Sequence, residues 1–450
     1  MPEHSGLLTD LYELTMAAGY LQTRFDANAT FELFVRHLPP HRNYLVAAGL
    51  EQALEFLENV HFTSKEIDYL HRHPVFRNIR DEFFDYLATF RFTGSVWAMP
   101  EGTLVFPGEP MLRVVAPIIE GQIMETYLLA TMSYQTMIAS KSARIFTAAK
   151  GRQIVDFGAR RAHGSQASLL AARAAAIGGC GGTSNVLAGH QFGMETYGTQ
   201  AHSWVMAHED ESEAFGHFLD AFPEHAVLLL DTYDVRNAVK KIIAMGRKPA
   251  GVRLDSGDLA NDSQWVRAQL DKMGWKDVKI FASGDLDETR IASLLAKHAA
   301  IDAFGVGTAL ATPGDAPHLN LVYKLVEVER DGKVREAAKL SAAKVTYPGR
   351  KQVFRYSTPS GEYKGDKIAL DGESADGGDP MLIEVMRGGR RTTPAEAVID
   401  SRARCLAGLQ RLPARYRRID RSAVYPVAYT KRLESHLEKL RKRIMKSAPK

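Results

Sequence analysis

The sequence predicts an α/β protein: an irregular, TIM-like βα barrel as the catalytic core, with an α+β N-terminal domain and a C-terminal extension packing on it. Three observations predict this. From about residue 140 to 327, short apolar segments alternate with helical ones. These are RQIVDFG then ASLLAARAAAI, HSWVMAH then EAFGHFLDAF, AVLLLDT then VRNAVKKIIAM, AGVRLDSG then DSQWVRAQLDKM, VKIFASGDL then ETRIASLLAKH, with IDAFGVGTAL closing the run. Each presumptive strand ends in a polar or glycine cluster, and in a βα barrel such ends share one rim, where active sites lie. Finally, 450 residues exceed one ordinary core. The expected domains are residues 1–134, 135–330 and 331–450.

The flanking regions follow different periods. LYELTMAAGYLQ has apolar residues at helical spacing, and Thr9 stands where an N-cap is expected. NATFELFVRHLP alternates like a strand, and the Gly- and Pro-rich run from Gly94 to Pro117 reads as antiparallel strands with tight turns. Asp331–Gly332 marks a hairpin, ALDGESADGGDP a loop, and KRLESHLEKLRKRIMK a basic amphipathic helix whose polar face is solvated.

Composition narrows the function classes. Hydrophobic residues make up 45% of the chain and charged residues 24%, the balance of a soluble globular protein. A net charge of +4 suits an enzyme with anionic ligands and is too diffuse for nucleic acid. No apolar run approaches the roughly 20 residues that span a bilayer, and MPEHSGLLTD lacks the pattern of a secretory signal. Two cysteines, Cys180 and Cys405, support neither a disulfide framework nor a four-ligand zinc site, so a cytoplasmic location is expected.

The strand ends carry the chemistry. VDFGARRAHG places Phe157, Arg160, Arg161 and His163 after a strand; an aromatic face beside guanidinium groups suits a flat anionic ring, although the residues alone read first as a packed Phe with surface arginines. GVRLDSGDL crowds Arg253, Asp255 and Asp258 at one strand end, where acids bind sugar hydroxyls or Mg²⁺ and Arg binds phosphate or carboxylate. Ser283, Gly284 and Asp285 repeat the arrangement, and Gly305, Gly307 and Thr308 form a glycine turn able to cradle a phosphate. GTQAHSW and LLLDTYD supply His202 and Asp231, a pair in which the carboxylate would orient the imidazole and raise its basicity. Residue chemistry reaches as far as an α/β barrel that handles a phosphorylated sugar with a metal ion.

The strings LLTDLYELTMAAGY, FELFVRHLP, PEGTLVFPGEP, DFGARRAHG, GGTSNVLAG, GTQAHSW, GVRLDSGDL, FASGDLDE and DAFGVGT, in this order, resemble the signature segments of the nicotinate phosphoribosyltransferase family. The resemblance implies a reaction of nicotinate with phosphoribosyl pyrophosphate, coupled to ATP hydrolysis, that yields nicotinate mononucleotide for NAD salvage. It implies that His202 is phosphorylated by ATP and supported by Asp231. Nicotinate is expected against Arg253 and Thr199, stacked between Phe157 and Tyr12, with Arg160 and Asp255 serving the base and ribose. Tyr12, and with it Arg36 toward a phosphate, would come from the partner subunit of a homodimer. Ser283, Gly284, Asp285, Gly305, Gly307 and Thr308 would hold the sugar phosphate. Mg²⁺ is expected to arrive mainly on the substrate's pyrophosphate, with no dedicated protein ligands.

One position bears on the base. Relatives that use nicotinamide carry an aspartate after the Gly-Thr of GGTSNV, where this chain has Ser184, which leaves a carboxylate unopposed. The competing readings are a nicotinamide or quinolinate phosphoribosyltransferase, or a non-catalytic phosphosugar-binding relative. The glycine-rich run Gly178–Gly182 departs from many relatives and is expected at most to loosen its loop.

Overall fold

The computed structural model describes residues 4–341 and 344–447. The chain forms two compact units: Ile138–Pro317 with Ile419–Arg421, and Met1–Met137 with His318–Arg418 and Ser422–Lys450.

The first of these units holds the βα rhythm. Its strands are β1 (Gln153–Asp156), β2 (Gly182–Thr183), β3 (Val227–Leu229), β4 (Gly251–Leu254), β5 (Lys279–Ala282) and β6 (Ala303–Val306). They form one sheet in the order β2-β1-β6-β5-β4-β3, and every pairing is parallel. Parallel strands need a crossover between them, and helices Ser165–Ile177, Glu211–Ala221, Val235–Met245, Leu259–Lys272 and Glu288–Ala296 supply it. Buried on both faces, the strands are nearly all apolar: Leu228, Leu254, Ile280, Phe304 and Val306 are fully enclosed.

The α/β expectation holds: β1 to β6 are parallel strands alternating with helices, and among the described residues they form an open sheet whose edge strands β2 and β3 do not pair with each other. One strand of the expected rhythm needs correction. HSWVMAH is not a strand. His202–Met206 is a short helix, and Trp204 Nε1 donates to the Ala214 carbonyl at 3.0 Å. Five residues are too few for periodicity to separate helix from strand. The extended backbone lies just before it: Glu195 and Tyr197 bond to Thr183 of β2, and Gln200 bonds to Val227 of β3. The glycine run is also tight rather than loose: a Cβ on Gly178 would stand 2.1 Å from the Ala139 carbonyl oxygen.

The second unit is mainly antiparallel. Its larger sheet orders Lys333–Glu336, Leu321–Arg330, Asn28–Val35, Pro110–Pro117, Ser95–Ala98, Ile383–Arg387 and Arg390–Arg391. Leu321–Arg330 pairs with Asn28–Val35, so this strand lies in the unit that holds the N-terminal region. A helical period then a strand period gives no signal for which sheet a strand joins. The hairpin at Asp331–Gly332 forms as expected, with φ of 52° and 69° at its two turn residues. Lys431–Ser447 is the C-terminal helix, with Leu433, Leu437 and Leu440 buried along one side.

Helix Leu11–Gln22 begins one residue later than an N-cap at Thr9 requires; Asp10 holds that position and makes no side-chain cap. The Thr9 hydroxyl instead bonds to the Ile123 carbonyl at 3.0 Å and to the Glu13 carboxyl. Burial pushes the Glu13 carboxyl up to about 7; the Thr126 hydroxyl, donating at 2.7 Å, opposes this, and the nearby Glu125 charge adds to it. A carboxyl raised in the folded state takes up a proton on folding, so its contribution is intact below the unfolded value and is lost as pH rises to about 7. Glu13→Gln is therefore expected to raise Tm more at pH 8 than at pH 5, read by thermal melts at both; an equal shift at both would show that Glu13 does not titrate in this window.

Candidate active site

The carboxyl ends of β4, β5 and β6 and the turn after β1 converge on Arg253. This side chain, largely buried at the end of β4, distributes three donors: Nε to Ser283 Oγ at 2.7 Å, Nη1 to Thr199 Oγ1 at 2.9 Å and Nη2 to Asp255 Oδ1 at 2.6 Å. Guanidinium has five N–H groups, so two are left for a ligand, in a planar fork that matches a carboxylate. Ser283 Oγ donates to the same Asp255 oxygen at 2.5 Å. Burial pushes the Asp255 carboxyl up, but the Ser283 hydrogen bond and the Arg253 charge outweigh it and hold the carboxyl below its ordinary range.

An aromatic wall stands beside this cluster. Arg253 Cζ lies 5.5 Å from the centre of the Phe157 ring, which stacks on Phe281 at 5.4 Å. Gly305 makes that stack possible: a Cβ there would fall 2.6 Å from Phe157 and 2.8 Å from Phe281. Its missing side chain thus receives an aromatic ring of the protein. Gly307 caps the four-residue helix Thr308–Ala311 and Thr308 is exposed on it. Gly284 has a φ of 90° and backs against the Asp255 carbonyl, where a Cβ would meet oxygen at 1.8 Å; Asp285 follows, also at positive φ and exposed. The turn therefore brings β4 and β5 backbones together under the site.

His202 and Asp231 are placed differently from the expectation. His202 opens its short helix; Nδ1 lies 3.2 Å from Thr232 Oγ1 and Nε2 lies 3.9 Å from Asp255 Oδ2. Asp231 turns its Oδ2 to the Asp255 backbone N–H at 3.2 Å and to the Ser256 hydroxyl at 2.5 Å. Its carboxylate thus braces the β4 turn that carries Asp255, and Thr232, one residue on, meets the imidazole. Asp231 Oδ1 is buried with no hydrogen-bond partner among the described residues, an oxygen suited to a hard cation or its water. No group of three or more His, Cys, Asp or Glu gathers there or elsewhere among the described residues, so a cation would depend on oxygens brought by a substrate.

The remaining predicted residues divide. Ser184 follows β2 directly, and its N–H donates to the carbonyl of Asp156, the residue before Phe157, at 2.8 Å. Arg160 and Arg161 are exposed on a single turn, Ala159–Arg161, and His163 is exposed after it. Asp258 caps helix Leu259–Lys272 through the Asn261 N–H at 3.2 Å. In the other unit, Tyr12 is 47% exposed, beside Leu8 and Leu11 at 46% each. Arg36 keeps Nε and Nη2 buried without a hydrogen-bond partner among the described residues, an arrangement completed by an anion.

Asp156, Thr232 and Gln200 escaped the sequence reading. Buried Asp156 bonds the Gly158 N–H and the Thr183 hydroxyl, both at 2.8 Å, and so ties the Phe157 turn to β2. Burial raises its carboxyl, with those two bonds pulling the other way. An acid closing an apolar strand, VDFG, was the available signal.

Comparisons with known proteins agree along the whole chain. Residues 7–133 match the nicotinate phosphoribosyltransferase N-terminal domain, residues 152–363 the nicotinate phosphoribosyltransferase family, and residues 378–437 the nicotinate phosphoribosyltransferase C-terminal domain. A nicotinate phosphoribosyltransferase of Mycobacterium tuberculosis is 45% identical over 448 residues, 98% of this chain and 95% of the relative. That of Bacillus subtilis is 44% identical over 375 residues, 81% of this chain and 76% of its own length. The crystal structure of human nicotinic acid phosphoribosyltransferase superposes with a TM-score of 0.83 at 29% identity, covering 96% of this chain and 99% of that one. A nicotinate-nucleotide pyrophosphorylase from Pyrococcus furiosus gives a TM-score of 0.74 at 27% identity, covering 90% and 95%. With matches to all three family domains and near-full-length relatives, the chain belongs to the nicotinate phosphoribosyltransferase family.

Proposed function

We propose that this protein joins nicotinate to phosphoribosyl pyrophosphate, releasing diphosphate and nicotinate mononucleotide for NAD biosynthesis. The observation that carries the reading is Arg253: three of its donors are fixed by Thr199, Ser283 and Asp255, beside the Phe157 ring. A ring acid fits it, carboxylate to the two remaining N–H groups and ring to the aromatic face. Ser184 supports the acid over the amide, since no carboxylate stands in its place.

In the reaction the pyridine nitrogen forms a bond to ribose C1 as the bond from C1 to the diphosphate oxygen breaks and the electron pair leaves with diphosphate. Positive charge grows on the sugar, and the ionised Asp255, held low by Ser283 and Arg253, favours it. Asp231 Oδ1 is the buried oxygen that would face a Mg²⁺ ion arriving on the substrate's diphosphate, and such an ion would supply charge neutralisation of the leaving group. Arg253 and Phe157 fix the base, so positioning supplies much of the catalysis. The Ser283–Asp285 turn, Gly307 and Thr308 receive the sugar phosphate, and Arg36 a phosphate of the partner subunit's substrate.

The finer assignments follow the same logic. With Nδ1–H donating to Thr232, His202 Nε2 keeps its lone pair; it attacks the γ-phosphorus of ATP, ADP leaves, and water later cleaves the phosphohistidine. The exposed Leu8, Leu11 and Tyr12 favour a homodimer in which Tyr12 covers the partner's base site. The two buried cysteines, in no disulfide, favour the cytoplasm, and no helix among the described residues is long and apolar enough to cross a membrane. The test is turnover. Nicotinate, phosphoribosyl pyrophosphate and Mg²⁺ should yield nicotinate mononucleotide; a pure, folded protein that makes none contradicts the proposal.

A further inference from the structure

Residues Glu195 to Gln200 bond to both edges of the parallel sheet without forming a regular strand. At β2, the Thr183 N–H donates to the Glu195 carbonyl at 3.0 Å and the Tyr197 N–H to the Thr183 carbonyl at 2.9 Å. Gln200 meets β3. In a parallel ladder a residue donates its N–H to one carbonyl of its neighbour strand, and its own carbonyl accepts from the N–H two residues further on. Gln200 fulfils the first half, donating to the Val227 carbonyl at 3.4 Å. The second half is transferred: the Leu229 N–H goes to the Gln200 side-chain Oε1 at 3.2 Å, not to its backbone carbonyl.

That substitution releases the Gln200 carbonyl, which accepts the Thr199 hydroxyl proton at 2.9 Å. A hydroxyl has one proton, so Thr199 can then only accept, and Arg253 Nη1 donates to it at 2.9 Å. We propose that Gln200 is a positioning residue for the base-binding end of the site: its side-chain amide replaces its own carbonyl at the sheet edge, so that the carbonyl holds Thr199 as an acceptor for Arg253. The inference rests on the reading of Arg253 as the group that binds the nicotinate carboxylate. The amide's orientation supports it. Gln200 is 2% exposed, and a flipped amide would set two donors against each other at Leu229. Nε2 is buried with no hydrogen-bond partner among the described residues, so the oxygen is the end that the fold uses.

Two variants and one control test this by steady-state kinetics with nicotinate and phosphoribosyl pyrophosphate, beside Tm. Gln200→Met keeps the length and removes the oxygen. It should raise KM for nicotinate by about tenfold or more, with kcat and KM for phosphoribosyl pyrophosphate within about threefold, a loss of roughly one factor of ten in base affinity. Loss of active protein alone would lower kcat and leave both KM values unchanged. Gln200→Glu keeps an acceptor oxygen in both forms, but when ionised it buries an unpartnered charge at the sheet edge, and burial raises its carboxyl. Its KM for nicotinate should therefore fall toward the wild-type value from pH 8 to pH 6 while the wild type changes little. Should Gln200→Met fail to fold, this pH profile decides. If Gln200→Met, or Gln200→Glu across that range, keeps the wild-type KM for nicotinate while Arg253→Ala raises it, the inference is overturned and the base-site reading stands. If Arg253→Ala leaves KM for nicotinate unchanged, the reading itself falls.

Discussion

Arg253→Ala should lower kcat/KM for nicotinate by roughly 30- to 700-fold, the equivalent of about 2–4 kcal/mol for truncating one side of a charge-assisted contact. The loss has two sources. The two donors reserved for the carboxylate vanish, and Thr199, Ser283 and Asp255 lose the side chain that binds all three. Asp255 should change as well. Its carboxyl is held low by Ser283 and Arg253 against burial, so removing the guanidinium lets it rise. A group that must be ionised then loses activity at higher pH, and the acid limb of the pH–kcat/KM profile should move upward. Arg253→Lys should recover only part of the rate: an ammonium keeps the charge but not the planar fork that reaches three partners at once. An acid limb that stays in place in Arg253→Ala would show that Asp255 does not govern it.

His202→Ala should abolish ATP hydrolysis and the acid-labile, base-stable label left on the protein by the γ-phosphate of ATP. Synthesis of nicotinate mononucleotide without ATP should persist at saturating substrate, because Arg253, Asp255 and Phe157 keep their own contacts. The expected separation follows from placement: among the described residues, His202 meets Thr232 Oγ1 at 3.2 Å and Asp255 Oδ2 at 3.9 Å and makes no hydrogen bond to Arg253. Label that survives in His202→Ala would move the phosphate to another residue, with His163 or His208 next. Complete loss of synthesis at saturation would place His202 in the glycosidic step itself.

Much of this site was legible in the sequence, because strand-end residues in a βα repeat have few places to go. Arg253, Asp255, Ser283 and Phe157 were named from their strings, and the structure brings them within mutual contact. Side chains that serve backbone geometry were harder to read. Gly305 looked like a phosphate cradle and instead admits the Phe157 and Phe281 rings. Asp258 looked like a ligand and caps a helix, a duty that Asp performs at many helix starts. Asp231 was paired with His202 because both stand at strand ends and by the family resemblance, whereas its bonds go to Ser256 and the Asp255 N–H. Sheet closure was also beyond the pattern. Periodicity reports that strands alternate with helices, but whether β2 and β3 pair depends on strand length, and β2 has only two residues. The sheet that strand Leu321–Arg330 joins was not legible for a related reason: its partner, Asn28–Val35, lies almost three hundred residues upstream.

A ring carboxylate held by Arg253 against Phe157, with Ser184 bonded to the residue before Phe157, makes the choice of base decisive. The measurement is kcat/KM for nicotinate, nicotinamide and quinolinate under one set of conditions, with phosphoribosyl pyrophosphate and Mg²⁺ and with or without ATP. Nicotinate should be turned over at least about a hundredfold more efficiently than nicotinamide, the discrimination of a charge-assisted contact worth about 3 kcal/mol. Quinolinate should fail, because a diacid demands more cationic partners than Arg253 and Arg160 supply. Comparable kcat/KM for nicotinate and nicotinamide would contradict a carboxylate site at Arg253.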